Sequence, residues 1–357
     1  MIEVLAPGSW AALAGLACGL VLGLAARFGR FCTLGAIEDA LFGHDWARAR
    51  LWASAIAVAI ASTHLAALVG WVDLAASPYV ERPLNVLATL AGGATFGIGM
   101  ALVGTCGYGC LARLGGGDLR AFLVFLVMGI AAYAALAGPL ARPIARYVEP
   151  LGLAGAWSLP SLLDLGTLGA AGVALAVSAA MLAWCLADSA FRRSSRPWWG
   201  AASGLAVTFG WVATTWLAEA TFEAVTPRSL TFVRPLGDTT IWVMTTTATP
   251  LSFGIGAVTG VVAGAFVGAL KHRELRWEAF DDAREMRRQI LGAVLMGVGG
   301  VLAFGCTIGQ GVTAFSTLAL SAPLTLAAMV AGAWLGLTVL IGGRAGMRIP
   351  RFVSGRR

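Results

Sequence analysis

GIGMALVGTCGYG at residues 97–109 and GVGGVLAFGCTIG at residues 297–309 are two copies of one segment, aligned without a gap at an offset of about 200 residues. Gly97 pairs with Gly297, Gly99 with Gly299, Cys106 with Cys306 and Gly109 with Gly309. Each copy closes an apolar run and then breaks into glycines around a cysteine. What lies between the copies sets how one is turned relative to the other.

Of the 357 residues, 58% are hydrophobic and 12% charged, where a soluble domain carries about a quarter charged. Apolar runs recur at about 10–26, 51–72, 86–103, 119–140, 164–187, 200–217, 250–271, 290–304 and 321–342. Each is long enough to cross a hydrocarbon core of about 30 Å as a helix, and none alternates as a barrel strand does. The expectation is an all-α polytopic membrane protein of about nine spans. Five spans separate the two copies. An odd number of crossings turns the second copy upside down, as in transporters built from inverted-topology repeats. The expected organisation is one transmembrane domain with repeat one at 1–141, a linking span at 164–187, repeat two at 200–342 and a basic tail at 343–357.

The net charge of +7 does not point to nucleic acid. With the N-terminus outside, the loops and span edges on one side hold 20 of the 25 Lys and Arg. That asymmetry is the positive-inside pattern, so the chain is expected in an inner (cytoplasmic) membrane with its C-terminus in the cytoplasm and lipid around it. The first basic residue is Arg27, which leaves no charged n-region for a cleaved leader and predicts a retained first span. HRELRWEAFDDAREMRRQ at 272–289 mixes both signs at helical spacing and predicts a short surface helix.

Three stretches are too polar or glycine-rich to face lipid as helix and too apolar to be ordinary loops: RFGRFCTLGAIEDALFG at 27–43, GTCGYGCLARLGGGD at 104–118 and FGCTIGQGVTAFSTL at 304–318. Irregular backbone at membrane depth is tolerated only where protein buries it or it lines a watery cavity, so these segments are expected to be re-entrant. PLGDTTIWVMTTTATP at 235–250 is a fourth such candidate, without a cysteine. Half-helices resuming after such breaks would aim free N–H groups at a shared cavity and favour an anion.

Cys32, Cys106 and Cys306 each lie in a break, whereas Cys18 and Cys185 lie in ordinary spans. A thiol is a weak donor and a polarisable acceptor, able to meet a soft sulfur without the cost of a fixed charge in lipid. Gly107, Gly109 and Gly309 supply backbone in the same breaks, and Thr307 and Gln310 supply either donors for substrate oxygens or partners for broken backbone. Arg30 and Arg113 flank two of the breaks and either draw an anion inward or anchor the chain. Cys110 follows Cys106 at a C-x3-C spacing that matches neither a redox C-x2-C nor a zinc set, and glycines 107 and 109 argue against regular helix there. His64, inside the second span, is expected to bond neighbouring backbone. No metal, cofactor or catalytic set is expected.

RFGRFCTLGAIEDALFG, GTCGYGCLARLGGGD and FGCTIGQGVTAFSTLALSAPLTLAAMVAGAWLG resemble the signature regions of the YeeE/YedE family of sulfur-compound transporters. The resemblance implies an hourglass whose re-entrant elements meet at a constriction, with Cys32, Cys106 and Cys306 contacting thiosulfate and passing it along. It also implies a small cytoplasmic sulfur-carrier protein as a partner. Two readings stay open beside thiosulfate uptake: transport of a selenium or other sulfur compound, and a membrane thiol enzyme or sulfur-transfer component that forms a cysteine persulfide.

Overall fold

The computed structural model describes residues 6–153, 155, 157–221, 225–280 and 282–342, so the tail at 343–357 lies outside the described residues. Helices account for about three-quarters of it. The long ones are α1 (Pro7–Phe28), α3 (Ala47–Leu68), α5 (Val86–Val103), α7 (Leu119–Leu136), α10 (Thr167–Leu186), α12 (Arg196–Ala220), α14 (Phe253–His272), α15 (Ala283–Leu302) and α16 (Ser321–Gly342). Between them lie α2 (Thr33–Phe42), α4 (Pro78–Glu81), α6 (Gly107–Gly115), α8 (Ala141–Tyr147), α9 (Leu159–Leu162), α11 (Ser189–Arg193), α13 (Val233–Met244) and a π turn at Gly309–Ala314.

Eight segments, all the long ones except α15, are long and apolar enough to cross a membrane. The chain is a multi-pass, all-α membrane protein. α15 opens with Arg284, Glu285, Arg287 and Arg288 and turns apolar only from Ile290, and its apolar part lies against α5 and α7. Asp118 caps α7 by accepting from the Arg120 N–H at 3.1 Å, as its place after three glycines predicts.

Helix pairing rests on residues small enough for backbones to touch, because lipid gives packed helices no hydrophobic drive. Gly15, Gly19 and Gly23 of α1 face Phe253, Ala257 and Val261 of α14, so these helices run parallel. Gly200 and Gly204 of α12 face Leu51, Ser54 and Ala55 of α3 in the same sense. Gly93 and Gly97 of α5 face Ala328 and Met329 of α16, again parallel. α5 and α15 run antiparallel, with Gly92 against Gly299 and Gly99 against Gly292.

Two expectations are corrected. The 272–289 stretch is not a separate surface helix: residues 273–280 are non-helical, with the Arg276 and Glu278 N–H groups donating to the Gly116 and Gly117 carbonyls at 3.1 and 3.2 Å. Those bonds hold it extended beside α7, and its second half becomes the first turns of α15. Residues 107 and 109 do not prevent helix either, since α6 starts at Gly107 and the Cys110 N–H bonds the Cys106 carbonyl at 2.8 Å. Glycine there answers crowding: a Cβ on Gly107 would press on Met128, and one on Gly109 would overlap the Thr105 hydroxyl.

Candidate functional site

The three cysteine breaks share one local build. Two residues before each cysteine the backbone turns left-handed, at Arg30 (φ 56°), Gly104 (φ 83°) and Phe304 (φ 54°). Gly104 adopts this conformation at no steric cost, whereas Arg30 and Phe304 do so against the preference of a Cβ-bearing residue. Phe304 is held there by Tyr79, whose ring is 5.6 Å away, and by the Arg82 guanidinium 4.3 Å over its face. The chain then extends, and Cys32 and Cys106 become the N-cap residues of α2 and α6. Neither half-helix has a side-chain cap bond, so its first N–H groups stay available at the thiol.

These breaks bring the thiols together. Cys106 is within electrostatic reach of both Cys32 and Cys306, and all three are free, with Cys106 and Cys306 fully buried and Cys32 partly so. The Thr33 hydroxyl stands 3.9 Å from the Cys106 sulfur, and the Gly309 N–H donates to the Cys306 sulfur at 3.4 Å. Thr307 is completely buried with its hydroxyl beside the Cys106 thiol, and it bonds no backbone carbonyl. Cys110, also free and buried, lines a small polar pocket with Thr105, Arg113, Asp118 and Gln289. Cys18 is simply buried in α1, and Cys185 donates to the Arg50 carbonyl at 3.3 Å, both away from this group.

Aromatic side chains enclose the thiols. Phe31 stacks on Trp52 with centroids 4.4 Å apart and meets Tyr108 edge-on at 6.1 Å, and Tyr108 in turn packs on Phe232 at 5.8 Å. The Tyr108 hydroxyl is anchored on the Leu22 carbonyl at 2.6 Å. Beside Cys306, Tyr79 packs against Trp211 at 6.4 Å. The group offers soft sulfur, a few hydroxyls and backbone N–H groups. Among the described residues no His/Cys/Asp/Glu cluster has metal-binding geometry.

The remaining candidates divide. Gln310 spends its amide N–H groups on the Ala303 and Phe304 carbonyls at 2.9 and 3.3 Å, and its carbonyl accepts from Ser321 at 3.3 Å. It satisfies the broken backbone. Arg113 is exposed and donates to the Gly104 carbonyl at 2.7 Å, within electrostatic reach of Cys32. Arg30 is exposed at the left-handed turn. His64 has Nδ1 against the Ile60 carbonyl at 3.0 Å.

Reading the sequence missed Thr33, Thr231, Tyr79, Tyr108 and Trp52. Tyrosine is one signal that was there to use: the chain has only four, and two of them stand at the thiols. Also missed was the cluster on the far side of Cys306, where Arg228 and Tyr79 lie together near Arg234.

The profile of the family described as "Sulphur transport" matches residues 28–335. A protein named thiosulfate transporter TsuA from Spirochaeta thermophila is 26% identical over 331 residues, covering 90% of this chain and 96% of its own length. Another of the same name from Escherichia coli strain K12 is 27% identical over 339 residues, covering 90% of this chain and 92% of its own.

Proposed function

Since the chain belongs to the sulphur transport family, the YeeE/YedE proteins, we propose that it carries thiosulfate inward across the cytoplasmic membrane through the constriction at Cys306, Cys106 and Cys32. Membership of a transport family makes it a transporter and not an enzyme, and relatives named thiosulfate transporters support the cargo. The observation that carries the proposal is the meeting of three free thiols from three separate breaks.

The architecture is two inverted repeats. Exchanging α1 with α12, α3 with α14, α5 with α15 and α7 with α16 turns the parallel α1/α14 pair into α12/α3, and the α5/α16 pair into α15/α7. An in-plane two-fold axis also requires α5 and α15, which it exchanges, to run antiparallel. The pairing of glycines supports this arrangement, with repeat one at 1–141, the linking span at 164–187 and repeat two at 200–342.

With the N-terminus outside, Arg82, Arg228 and Arg234 stand at the outer mouth and draw in the dianion. It passes Tyr79 and reaches Cys306, where the thiol offers a weak donor to the terminal sulfur. Cys106 and then Cys32 offer the same contact, each replaceable because it is weak. The uncapped N–H groups of α2 and α6 balance the oxygens' charge without a fixed cation that would hold the anion too tightly. Sulfate, lacking a soft sulfur, loses those contacts, and selectivity is that difference. Arg113 at the inner mouth hands the cargo to the cytoplasm, where a small sulfur-carrier protein receives it. Uptake of labelled thiosulfate by a host without its own thiosulfate transporter tests the proposal: expression of this chain restores uptake, and no uptake at normal membrane expression refutes it.

A further inference from the structure

The hydroxyl of Thr307 stands out in the way it is left. Several other buried threonines spend their hydroxyls on backbone carbonyls, Thr214 on Gly210 at 2.8 Å, Thr239 on Pro235 at 2.7 Å, Thr313 on Leu230 at 2.6 Å, Thr317 on Ala314 at 2.9 Å and Thr325 on Ser321 at 2.7 Å, whereas Thr215 in α12, like Thr307, does not. Among the described residues Thr307 bonds no backbone carbonyl: it is wholly buried with its hydroxyl beside the Cys106 thiol, a weak acceptor. A hydroxyl taken out of water with no partner stronger than a thiol is destabilising, and a native chain keeps one where something else satisfies it. The local turn does not demand threonine, because the matching place in the other copy of the segment is Gly107. Two further hydroxyls stand at the same thiols: Thr33 at 3.9 Å from the Cys106 sulfur and Thr231 beside Cys306.

We propose that Thr307, with Thr33 and Thr231 beside it, reads the oxygens of the cargo while the thiols read its sulfur, so that the constriction selects anions carrying both. This deepens, and rests on, the thiosulfate reading above. As the terminal sulfur moves between thiols, Thr307 donates its O–H to a sulfonate oxygen, a bond to a charged acceptor and therefore among the stronger ones. An anion with oxygens but no soft sulfur gains only the hydroxyl contacts, and hydrosulfide gains only the thiol contacts. A site built to hydrogen-bond a ligand oxygen discriminates strongly against ligands lacking it, because its own buried group is then left unpaired.

The test compares wild type with Thr307→Val, which keeps the shape and removes the hydroxyl, with Thr307→Ser, which keeps the hydroxyl, and with Thr231→Val. Thr215→Val serves as a control, since that buried hydroxyl also bonds no backbone carbonyl but sits in α12 with no thiol recorded beside it. Two quantities are measured: KM for labelled thiosulfate at matched membrane expression, and melting temperature of the purified protein without thiosulfate. Thr307→Val is expected to raise KM at least about tenfold, as loss of one charge-assisted bond does, while melting no lower than wild type. Thr307→Ser stays within about threefold of wild type, Thr231→Val raises KM in the same direction, and Thr215→Val leaves KM unchanged. A purely structural Thr307 would give the reverse, with Thr307→Val lowering the melting temperature and leaving KM within about twofold, and that result overturns the inference alone. Absence of thiosulfate uptake by wild type overturns the cargo and the inference together.

Discussion

The hydroxyl of Thr33 stands 3.9 Å from the sulfur of Cys106, so the first residue of α2 touches the residue that opens α6. Two half-helices from different breaks thus end on one point. Replacing Thr33 by Cys in a Cys32→Ala background puts two thiols at that point. A mild oxidant is expected to link positions 33 and 106, detected by mass spectrometry of the digested protein, and reduction is expected to restore any uptake that the link blocks. A protein that stays fully reduced under conditions that oxidise exposed thiols would contradict the convergence of α2 and α6.

Arg228 lies half-buried with Tyr79 at the Cys306 side of the thiols, and its backbone is fixed by the Thr214 hydroxyl, which bonds the Arg228 carbonyl at 2.7 Å. Arg228→Gln is expected to raise KM for thiosulfate several-fold with little change in maximal rate, because attraction of a dianion to the mouth is lost while the constriction is intact. The difference from wild type should shrink as salt rises, since a Debye length falls from about 10 Å at 0.1 M to about 3 Å at 1 M. Uptake kinetics at two ionic strengths check this.

Gly19 of α1 faces the backbone of α14, where an added Cβ would overlap the Ala257 carbonyl and lie 2.9 Å from the Val261 nitrogen. Backbone cannot rotate away as a side chain can. Gly19→Val should therefore force the two helices apart and destabilise the protein by about 1–3 kcal/mol, the usual cost of overpacking, seen as a lower melting temperature in detergent. Gly172→Ala on α10, where an added Cβ meets nothing within 4 Å, should melt as wild type does.

Asp188 caps α11 through the N–H groups of Ala190 and Phe191 at 2.8 and 3.1 Å and pairs with Arg50 of α3. The Phe191 and Ala190 N–H groups, then the Arg50 guanidinium, hold its carboxyl below the usual carboxylate range. A depressed folded-state pKa contributes stability that is complete above the unfolded value of about 3.9 and is lost as pH falls through the folded value. Asp188→Asn keeps a good cap and removes the charge. It should melt slightly below wild type at neutral pH, with the gap closing below about pH 4 in thermal melts taken across pH.

Much of the fold is written in the glycine and cysteine spacing. The match of Cys106 with Cys306 locates two breaks, the polar string after Arg27 locates the third, and the apolar runs locate the long helices within a few residues except at α15, whose charged first turns at Ala283 precede the run at 290–304. The turn that shapes the breaks was less legible, because only Gly104 advertises a left-handed residue, while Arg30 and Phe304 carry a Cβ that disfavours it. The site's hydroxyls and rings were hidden for a different reason. Thr33 and Cys106 are 73 residues apart, and Tyr79 and Thr231 come from connections whose composition says only loop. Gln310 was open to two roles, because a buried amide serves substrate oxygens and broken backbone equally well. The broken helix end left the Ala303 and Phe304 carbonyls for it to satisfy first.

Passage of the cargo along three thiols is tested most directly by labelled-thiosulfate uptake in a transport-deficient host expressing single alanine variants at matched membrane levels. Cys32→Ala, Cys106→Ala and Cys306→Ala are each expected to lose uptake, while Cys18→Ala and Cys185→Ala, whose thiols lie in ordinary spans away from the constriction, keep it. Wild-type rates in all three constriction variants would contradict the account.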